Sequence, residues 1–257
     1  MSTFLFDSTI FGPVKSRRLG NSLGINLLPN DRKICNFNCI YCECGWNKSS
    51  NSEIILPKLN DISDSLIKKI EELKNKNVKV DTITFAGNGE PTIHPDFPLI
   101  LERTIEIRNN ILPKAKIAVL SNSALIYKKN IVDALFKVDL NILKLDTAIE
   151  NTYRLINQPV INKSIKEIIE KLKVFKGKLI IQTMFVRGTY NNIPFDNTTT
   201  EELNALILAL KGINPQYVMI YSIARDTPCG TVEKIETKEL KEIKSLFEKN
   251  GIDTAIF

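Results

Sequence analysis

The strongest constraint on the fold is a regular alternation of short apolar segments with longer segments of helical periodicity. Strands are predicted at residues 22–28, 80–85, 116–120, 138–146, 179–186 and 217–223. Helices are predicted between or after them at residues 61–76, 96–109, 131–136, 164–175, 200–210 and 237–250. Strands that alternate with helices pair in parallel, so the pattern predicts a parallel sheet covered by helices.

The size and continuity of the chain limit its domain organisation. The 257 residues are 43% hydrophobic and 25% charged, which is typical of one globular α/β domain. We predict a single domain over residues 1–257, in which residues 1–34 form an N-terminal extension and the first strand. Six strand–helix units without a glycine-rich dinucleotide loop favour a (β/α)6 partial barrel over a doubly wound sheet. Chemistry in such barrels lies at the C-terminal ends of the strands.

A cluster of cysteines follows the first predicted strand directly. Cys35, Cys39 and Cys42 have the spacing C-x3-C-x2-C within the loop 35–42. Thiolates favour iron–sulfur, zinc or copper(I) over magnesium or calcium. A 4Fe–4S cluster normally takes four cysteine ligands, so three would leave one iron open to a small molecule.

The remaining cysteines keep other metal sites in consideration. With Cys44 the loop could supply four ligands to zinc, although structural zinc sites usually draw their ligands from two separate knuckles. A thioredoxin-like pair of Cys39 and Cys42 leaves Cys35 unexplained. Cys44 could tune a cluster or be a bystander, and Cys229 is expected to be a free thiol. An odd cysteine number indicates a reducing compartment rather than a disulfide framework.

Two motifs in the expected order resemble those of the radical S-adenosylmethionine (SAM) superfamily. The cysteine loop, with Tyr41 before its last cysteine, is similar to the cluster loop of that superfamily. The segment 87–91, Gly-Asn-Gly-Glu-Pro, looks like the Gly-Gly-Glu-Pro loop that receives the methionine amino group. The resemblance implies a (β/α)6 partial barrel and a 4Fe–4S cluster on Cys35, Cys39 and Cys42. It also implies that SAM binds the open iron and is cleaved to a 5′-deoxyadenosyl radical, with electrons from a flavodoxin- or ferredoxin-type donor.

The same resemblance indicates which residues bind SAM. They are Tyr41, Gly87, Asn88, Gly89, Glu90, Pro91 and Asn122, and the position of Asp146 at the C-terminal end of a strand adds it as a further candidate. Glycines allow the backbone to approach a ligand, and Glu90 could accept from the ammonium group of SAM. Ordinary loop packing is the alternative for Tyr41, and a plain glycine turn is the alternative for residues 87–91.

Polar residues at other strand ends are candidates for substrate binding or catalysis. Lys144 and Asp146 lie on one strand face, and buried charges need partners. They could pair with each other, or face SAM and substrate. Gln182, Arg187 and Tyr221 are further candidates, and Arg187 could bind an anionic substrate. We expect Arg225 to lie on the surface.

A narrower resemblance concerns a group of proteins related to the wyosine-base tRNA synthetases. It rests on residues 11–20, 22–24, 143–146 and 181–185, but residues 1–34 contain no cysteine for a second cluster. Three functions therefore stay open: radical modification of a tRNA base, radical chemistry on a protein or small metabolite, and a noncatalytic zinc or cluster module that binds RNA.

Composition excludes some classes of functional site and leaves others open. The net charge of +6 permits RNA binding, but the lysines are spread over the chain. With His94 as the only histidine, a histidine-rich metal site and a Ser-His-Asp triad are excluded. Neither a signal peptide nor a bilayer-spanning run is evident, so a cytoplasmic protein without membrane contact is expected.

Overall fold

The structure is a computed structural model that describes residues 4–47 and 53–257. Its main element is an eight-stranded sheet, in the spatial order β1-β2-β3-β4-β5-β6-β9-β11. The strands are β1 (Ile10–Ser16), β2 (Gly20–Ile25), β3 (Thr82–Phe85), β4 (Lys116–Ser121), β5 (Leu140–Lys144), β6 (Ile180–Met184), β9 (Val218–Tyr221) and β11 (Thr254–Ile256). All neighbours pair in parallel except β1 and β2, which are antiparallel. The curled sheet is the predicted partial barrel.

In the described residues, seven helices cover the outer face of this sheet. They are α1 (Leu59–Asn75), α2 (Phe97–Ile111), α3 (Lys129–Leu135), α4 (Glu150–Ile156), α5 (Ile165–Leu172), α6 (Thr200–Ile213) and α7 (Thr237–Lys249). Helix α5 begins with a capping box, in which Ser164 and Glu167 each accept a hydrogen bond from the other's backbone amide. In the part of the chain that the structure describes, no helix is both long and apolar enough to span a membrane.

Residues inside the barrel lie in two layers. An apolar layer of Leu19, Ala118, Ile142, Ile180 and Met219 fills the barrel interior. Two residues further along four strands, the same face carries Leu120, Lys144, Gln182 and Tyr221. The second layer is therefore largely polar and lies nearer the C-terminal strand ends.

The structure adds elements that the periodicity did not predict. A separate antiparallel sheet has the order β10-β7-β8, formed by β7 (Val186–Tyr190), β8 (Ile193–Asp196) and β10 (Val232–Lys234). Asn191 and Asn192 connect β7 to β8 with positive φ angles of 49° and 62°, which suit a tight hairpin. Strand β1 was missed because Gly12 and Pro13 interrupt its pattern at a register shift.

Candidate active site

The cysteine loop is fixed by backbone and side-chain hydrogen bonds. The amides of Asn38 and Ile40 donate to carbonyls at the end of α4, from Asn157 and Ile156, at 3.1 and 3.0 Å. The side chain of Asn47 donates to the Cys35 carbonyl at 2.9 Å. The loop has no helix or strand of its own, so these contacts determine where its thiols lie.

The three predicted ligands share one cavity at the C-terminal end of the barrel. Cys35, Cys39 and Cys42 line this space of about 180 Å³ together with Glu90 and Asn122. Within residues 4–47 and 53–257, no three His, Cys, Asp or Glu side chains converge as ligands of a single metal ion. Thiols spaced around one cavity fit a cluster, in which each sulfur binds a different iron. We call this space the cluster cavity.

Lys33 is a functional candidate that the sequence analysis missed. Its side chain is buried and donates to the Gly45 carbonyl at 2.9 Å. Burial lowers the pKa of Lys33, but nearby thiolates, led by Cys42, raise it more, so the net shift is upward. Lys33 therefore places a positive charge beside the sulfurs. Its position two residues before Cys35 was visible in the sequence, but its burial was not.

Cys44 also lines the cluster cavity. Its Sγ lies 3.5 Å from the Gly87 carbonyl oxygen. A hydrogen bond from Cys44 lowers the pKa of Cys42 to about 5, and the same contact raises the pKa of Cys44. Cys44 thus contacts a predicted ligand. Cys229 is not among the residues lining this cavity, and its sulfur lies 3.1 Å from the Thr231 hydroxyl.

The two glycines of the segment 87–91 are required by contacts within the chain itself. Both have positive φ angles, 152° for Gly87 and 140° for Gly89. A Cβ on Gly89 would lie 1.8 Å from the Ile34 carbonyl oxygen, and one on Gly87 would lie 2.4 Å from Asn26 Oδ1. The glycines line the cluster cavity, and they also let the loop pack against the segment that leads into the cysteines.

Asn88 and Pro91 do not line the cluster cavity, so the structure gives no support to direct contact of their side chains with SAM. The Asn88 amide donates to the carbonyls of Phe6 and Pro29 at 2.8 and 2.9 Å, and its oxygen accepts from the Phe6 amide at 2.8 Å. Pro91 begins a short 3₁₀ helix, Pro91–Ile93. Their side chains serve the conformation of the loop, because long-range partners occupy Asn88 and proline suits a helix start.

Glu90 and Asn122 connect the second motif to the cysteine loop. The buried Glu90 carboxylate accepts from the Asn122 amide at 2.6 Å and from the Ser121 hydroxyl at 2.8 Å. Burial raises the pKa of Glu90, although these donors oppose the shift. The Asn122 side chain donates to Asn36 Oδ1 at 2.6 Å and lies 3.4 Å from Cys35 Sγ. Both predicted residues therefore lie at the cavity.

Lys144 and Asp146 pair with each other, which was the first of the two predicted alternatives. The Asp146 carboxylate lies 3.0 Å from Lys144 Nζ and also accepts from the Tyr41 hydroxyl. It accepts further from Asn157 Nδ2 at 2.6 Å and from the Met184 amide at 3.0 Å. Lys144 and Tyr41 line the cluster cavity, whereas Asp146 is buried behind them. Asp146 thus contacts side chains that line the cavity without lining it, and its predicted role in binding SAM stays a prediction.

Of the other candidates, Gln182 lies at the cavity and Arg187 does not. Gln182 lines the cluster cavity and donates to the Tyr221 hydroxyl. Arg187 lies on β7, where it donates to the Thr198 hydroxyl at 2.8 Å and pairs with Glu239. Arg187 does not line the cluster cavity, and its predicted role in binding an anionic substrate stays a prediction. Arg225 is exposed and pairs with Glu43 at 2.9 Å.

Comparison with known proteins agrees with this arrangement. Residues 32–206 match the model of the radical SAM superfamily, a segment that contains both motifs and most of the barrel. The chain belongs to the radical SAM superfamily.

Curated relatives resemble almost the whole chain. A UPF0026 protein of Methanocaldococcus jannaschii is 36% identical over 93% of this chain and 71% of its own length. A protein of Brachyspira hyodysenteriae, named GTPase Obg, is 32% identical over 94% of this chain, which spans only 34% of that protein's length.

Solved structures agree in fold. A radical SAM methyltransferase from Sphaerobacter thermophilus superposes with a TM-score of 0.67 at 12% identity, over 92% of this chain and 65% of that one. TYW1 with a lysine-pyruvate adduct bound gives a TM-score of 0.61 at 16% identity, over 89% of this chain and 73% of that one. Identities this low show the fold alone. The narrower resemblance to wyosine-base synthetases stays a prediction.

Proposed function

We propose that this chain is a radical SAM enzyme whose cluster cavity holds a 4Fe–4S cluster on Cys35, Cys39 and Cys42, with SAM on the fourth iron. The observation that carries the proposal is that three thiols, Glu90 and Asn122 line one cavity at the C-terminal barrel end. When bound, the cluster and SAM supply one-electron cleavage of a sulfur–carbon bond and a 5′-deoxyadenosyl radical. An external donor of the flavodoxin or ferredoxin type would provide the electron.

The residues of the chain then have distinct tasks. Glu90 is positioned to accept from the SAM ammonium, and Gly87 and Gly89 form the adjoining wall. Lys33 offsets the negative charge of the thiolates. Asp146 holds Lys144 and Tyr41 at the cavity wall, where the Lys144 ammonium can attract the SAM carboxylate.

The substrate of the proposed reaction is a small metabolite or a nucleic-acid base. A tRNA base remains one hypothesis, based on the narrower resemblance and the net charge of +6. A Schiff base on Lys144 is disfavoured, because its ammonium is paired with Asp146 at 3.0 Å and an ammonium has no free electron pair for attack. Cysteines that must bind iron also favour a reducing, cytoplasmic location.

Electron paramagnetic resonance of anaerobically reconstituted, dithionite-reduced protein tests the proposal. We expect a 4Fe–4S signal that changes shape when SAM is added. It should disappear in Cys35→Ala, Cys39→Ala and Cys42→Ala and persist in the control Cys229→Ala. A protein that binds one zinc tightly and no iron would overturn the proposal. A cluster that does not respond to SAM would instead indicate that Cys44 fills the fourth position. If RNA is the substrate, adding tRNA should accelerate SAM cleavage.

A further inference from the structure

A second cavity of about 320 Å³ adjoins the cluster cavity inside the barrel. Leu120 lines both spaces. Gln182 of the cluster cavity donates to the hydroxyl of Tyr221, which lines the second space. A molecule in the second cavity would therefore lie next to the site proposed for SAM. We call this space the Arg18 cavity, after the residue that distinguishes it.

The charges around the Arg18 cavity are mostly positive. Among the described residues that line it, the basic ones are Lys15, Arg17, Arg18 and Arg225, and the acidic one is Glu43. Glu43 already pairs with Arg225 at 2.9 Å. The remaining positive charge has no acidic side chain within the lining, and clefts of one charge sign concentrate ligands of the opposite sign.

Arg18 has a buried donor without a partner. Among the described residues, no hydrogen-bond acceptor lies within reach of Arg18 Nη1, which is shielded from solvent. Its guanidinium carbon lies 5.1 Å from the centre of the Tyr221 ring, a cation–π contact that holds the group beside the cavity. Buried donors are nearly always satisfied in proteins, whereas this guanidinium lines the cavity without an acceptor at Nη1 among the described residues, and a ligand would meet the part of the side chain that is exposed there.

Another part of the lining is aromatic and closely packed, formed by Phe6 and Phe11. The Phe11 ring lies so near Gly24 that a Cβ there would be 2.1 Å from the ring. Phe6 stacks on Phe11 with a centroid distance of 3.6 Å and an interplanar angle of 21°. The cavity thus combines an apolar wall with a fixed cation, as small-molecule sites commonly do.

We propose that the Arg18 cavity is the substrate site, and that it takes a small organic molecule bearing a carboxylate or phosphate bound by Arg18. This proposal rests on the proposed function, because it names the class of substrate that would react with the radical formed in the adjoining cluster cavity. Planar guanidinium groups bind such oxyanions through two parallel hydrogen bonds. A volume near the lower end of the range for ligand sites favours a small molecule over a polymer.

Anion binding can be measured directly on anaerobically reconstituted protein. Inorganic phosphate, pyrophosphate and citrate are titrated by calorimetry into the wild type, Arg18→Gln and Arg18→Lys. The matched control is Arg103→Gln, which removes an arginine from an exposed pair with Glu106 on α2. We expect saturable binding of at least one probe, a loss of about tenfold or more in Arg18→Gln, and an intermediate loss in Arg18→Lys. Arg103→Gln should bind like the wild type.

Several outcomes would overturn the proposal. They are the absence of saturable binding for all three probes, equal binding by the wild type and both Arg18 variants, and an equal loss in Arg103→Gln. Binding of a mixed RNA oligonucleotide that is tighter than pyrophosphate and depends on Arg18 would replace the small molecule with RNA. If Arg18→Gln does not fold, Arg18→Lys carries the comparison.

The electron paramagnetic resonance signal distinguishes a failure of this substrate proposal from a failure of the proposed radical SAM function. Arg18→Gln should keep a cluster signal that responds to SAM. If the cluster forms but no longer responds, Arg18 serves the carboxylate of SAM and the substrate assignment fails. A wild-type protein that binds the probe anions through Arg18 but shows no SAM-sensitive cluster would refute the proposed function alone.

Discussion

The cluster cavity and the Arg18 cavity adjoin inside one barrel but are built in opposite ways. In the first, Glu90, Asn122 and Lys144 each have protein partners, and Asp146 has at least four. In the second, Arg18 Nη1 has none among the described residues. Ordered networks of this kind hold groups in place before a ligand arrives, whereas an unsatisfied cation depends on the ligand for its partner. The comparison indicates a fixed site for a resident group beside a site that an exchanging molecule completes.

The largest expected effect on stability comes from Gly89, which packs the second motif against the segment that leads into the cysteines. Gly89→Ala should destabilise the protein by about 3 kcal/mol or more and prevent cluster incorporation, because its Cβ would collide with the Ile34 carbonyl. Chemical denaturation and iron content measure both effects. The control is Gly251→Ala, which also has a positive φ, 78°, but has no atom within 4 Å of its Cβ. Equal losses in both variants would show that backbone strain, and not this contact, is the cause.

A smaller effect is expected from the ion pair beneath the cluster cavity. Asp146→Asn should cost about 3 kcal/mol in the free energy of unfolding, because it leaves the Lys144 ammonium, whose side chain is only 17% exposed, without its counter-charge. Thermal or chemical unfolding provides the measurement. Asp133→Asn, which breaks the exposed pair with Lys129, should cost no more than about 0.5 kcal/mol. The double variant Asp146→Asn with Lys144→Met should recover part of the loss; no recovery would contradict the pairing.

The smallest expected effect concerns the charge beside the thiols. Lys33→Met should make the reduction potential of the cluster more negative, on the order of 60 mV, because reduction adds an electron that Lys33 no longer stabilises. A potentiometric titration followed by electron paramagnetic resonance measures the shift. Lys68→Met removes an equal charge from the exposed face of α1 and should leave the potential unchanged. A potential that stays constant in Lys33→Met would show that the lysine serves packing only.

Local pattern predicted most of the barrel, since every predicted strand and helix corresponds to an observed one, although β1, α4 and β11 were not predicted. The hairpin of β7 and β8 was missed because residues 179–186 were treated as one continuous strand, although Asn191 and Asn192 are typical turn residues. For the same reason Arg187, expected just after a strand, lies within β7. Where a strand ends therefore decides which surface a side chain reaches.

At the site, the sequence motifs predicted the residues that line the cavity better than the residues that hold them in place. The thiols, Glu90 and Asn122 share a cavity as expected. Lys33, Asn47 and Asn157 were missed, because their importance depends on burial and on partners brought close by the fold. Asn157 Nδ2, for example, lies 2.6 Å from Asp146 and 3.6 Å from Cys39 Sγ. A lone asparagine carries no local pattern that would indicate such contacts.

The hydrogen bonds between Asn88 and Phe6 connect the cluster cavity to the Arg18 cavity. Asn88 belongs to the loop proposed for SAM, and Phe6 stacks on Phe11 at the wall of the Arg18 cavity. The segment around Phe6 therefore contacts the loop whose glycines line the cluster cavity and also lines the Arg18 cavity. If a ligand in the cluster cavity orders this segment, the ligand in the Arg18 cavity binds to a wall that is already ordered, and thermodynamic linkage makes the effect mutual. Such a connection makes the two ligands bind cooperatively, so that a protein already holding the radical source takes up the molecule that will react with it more tightly.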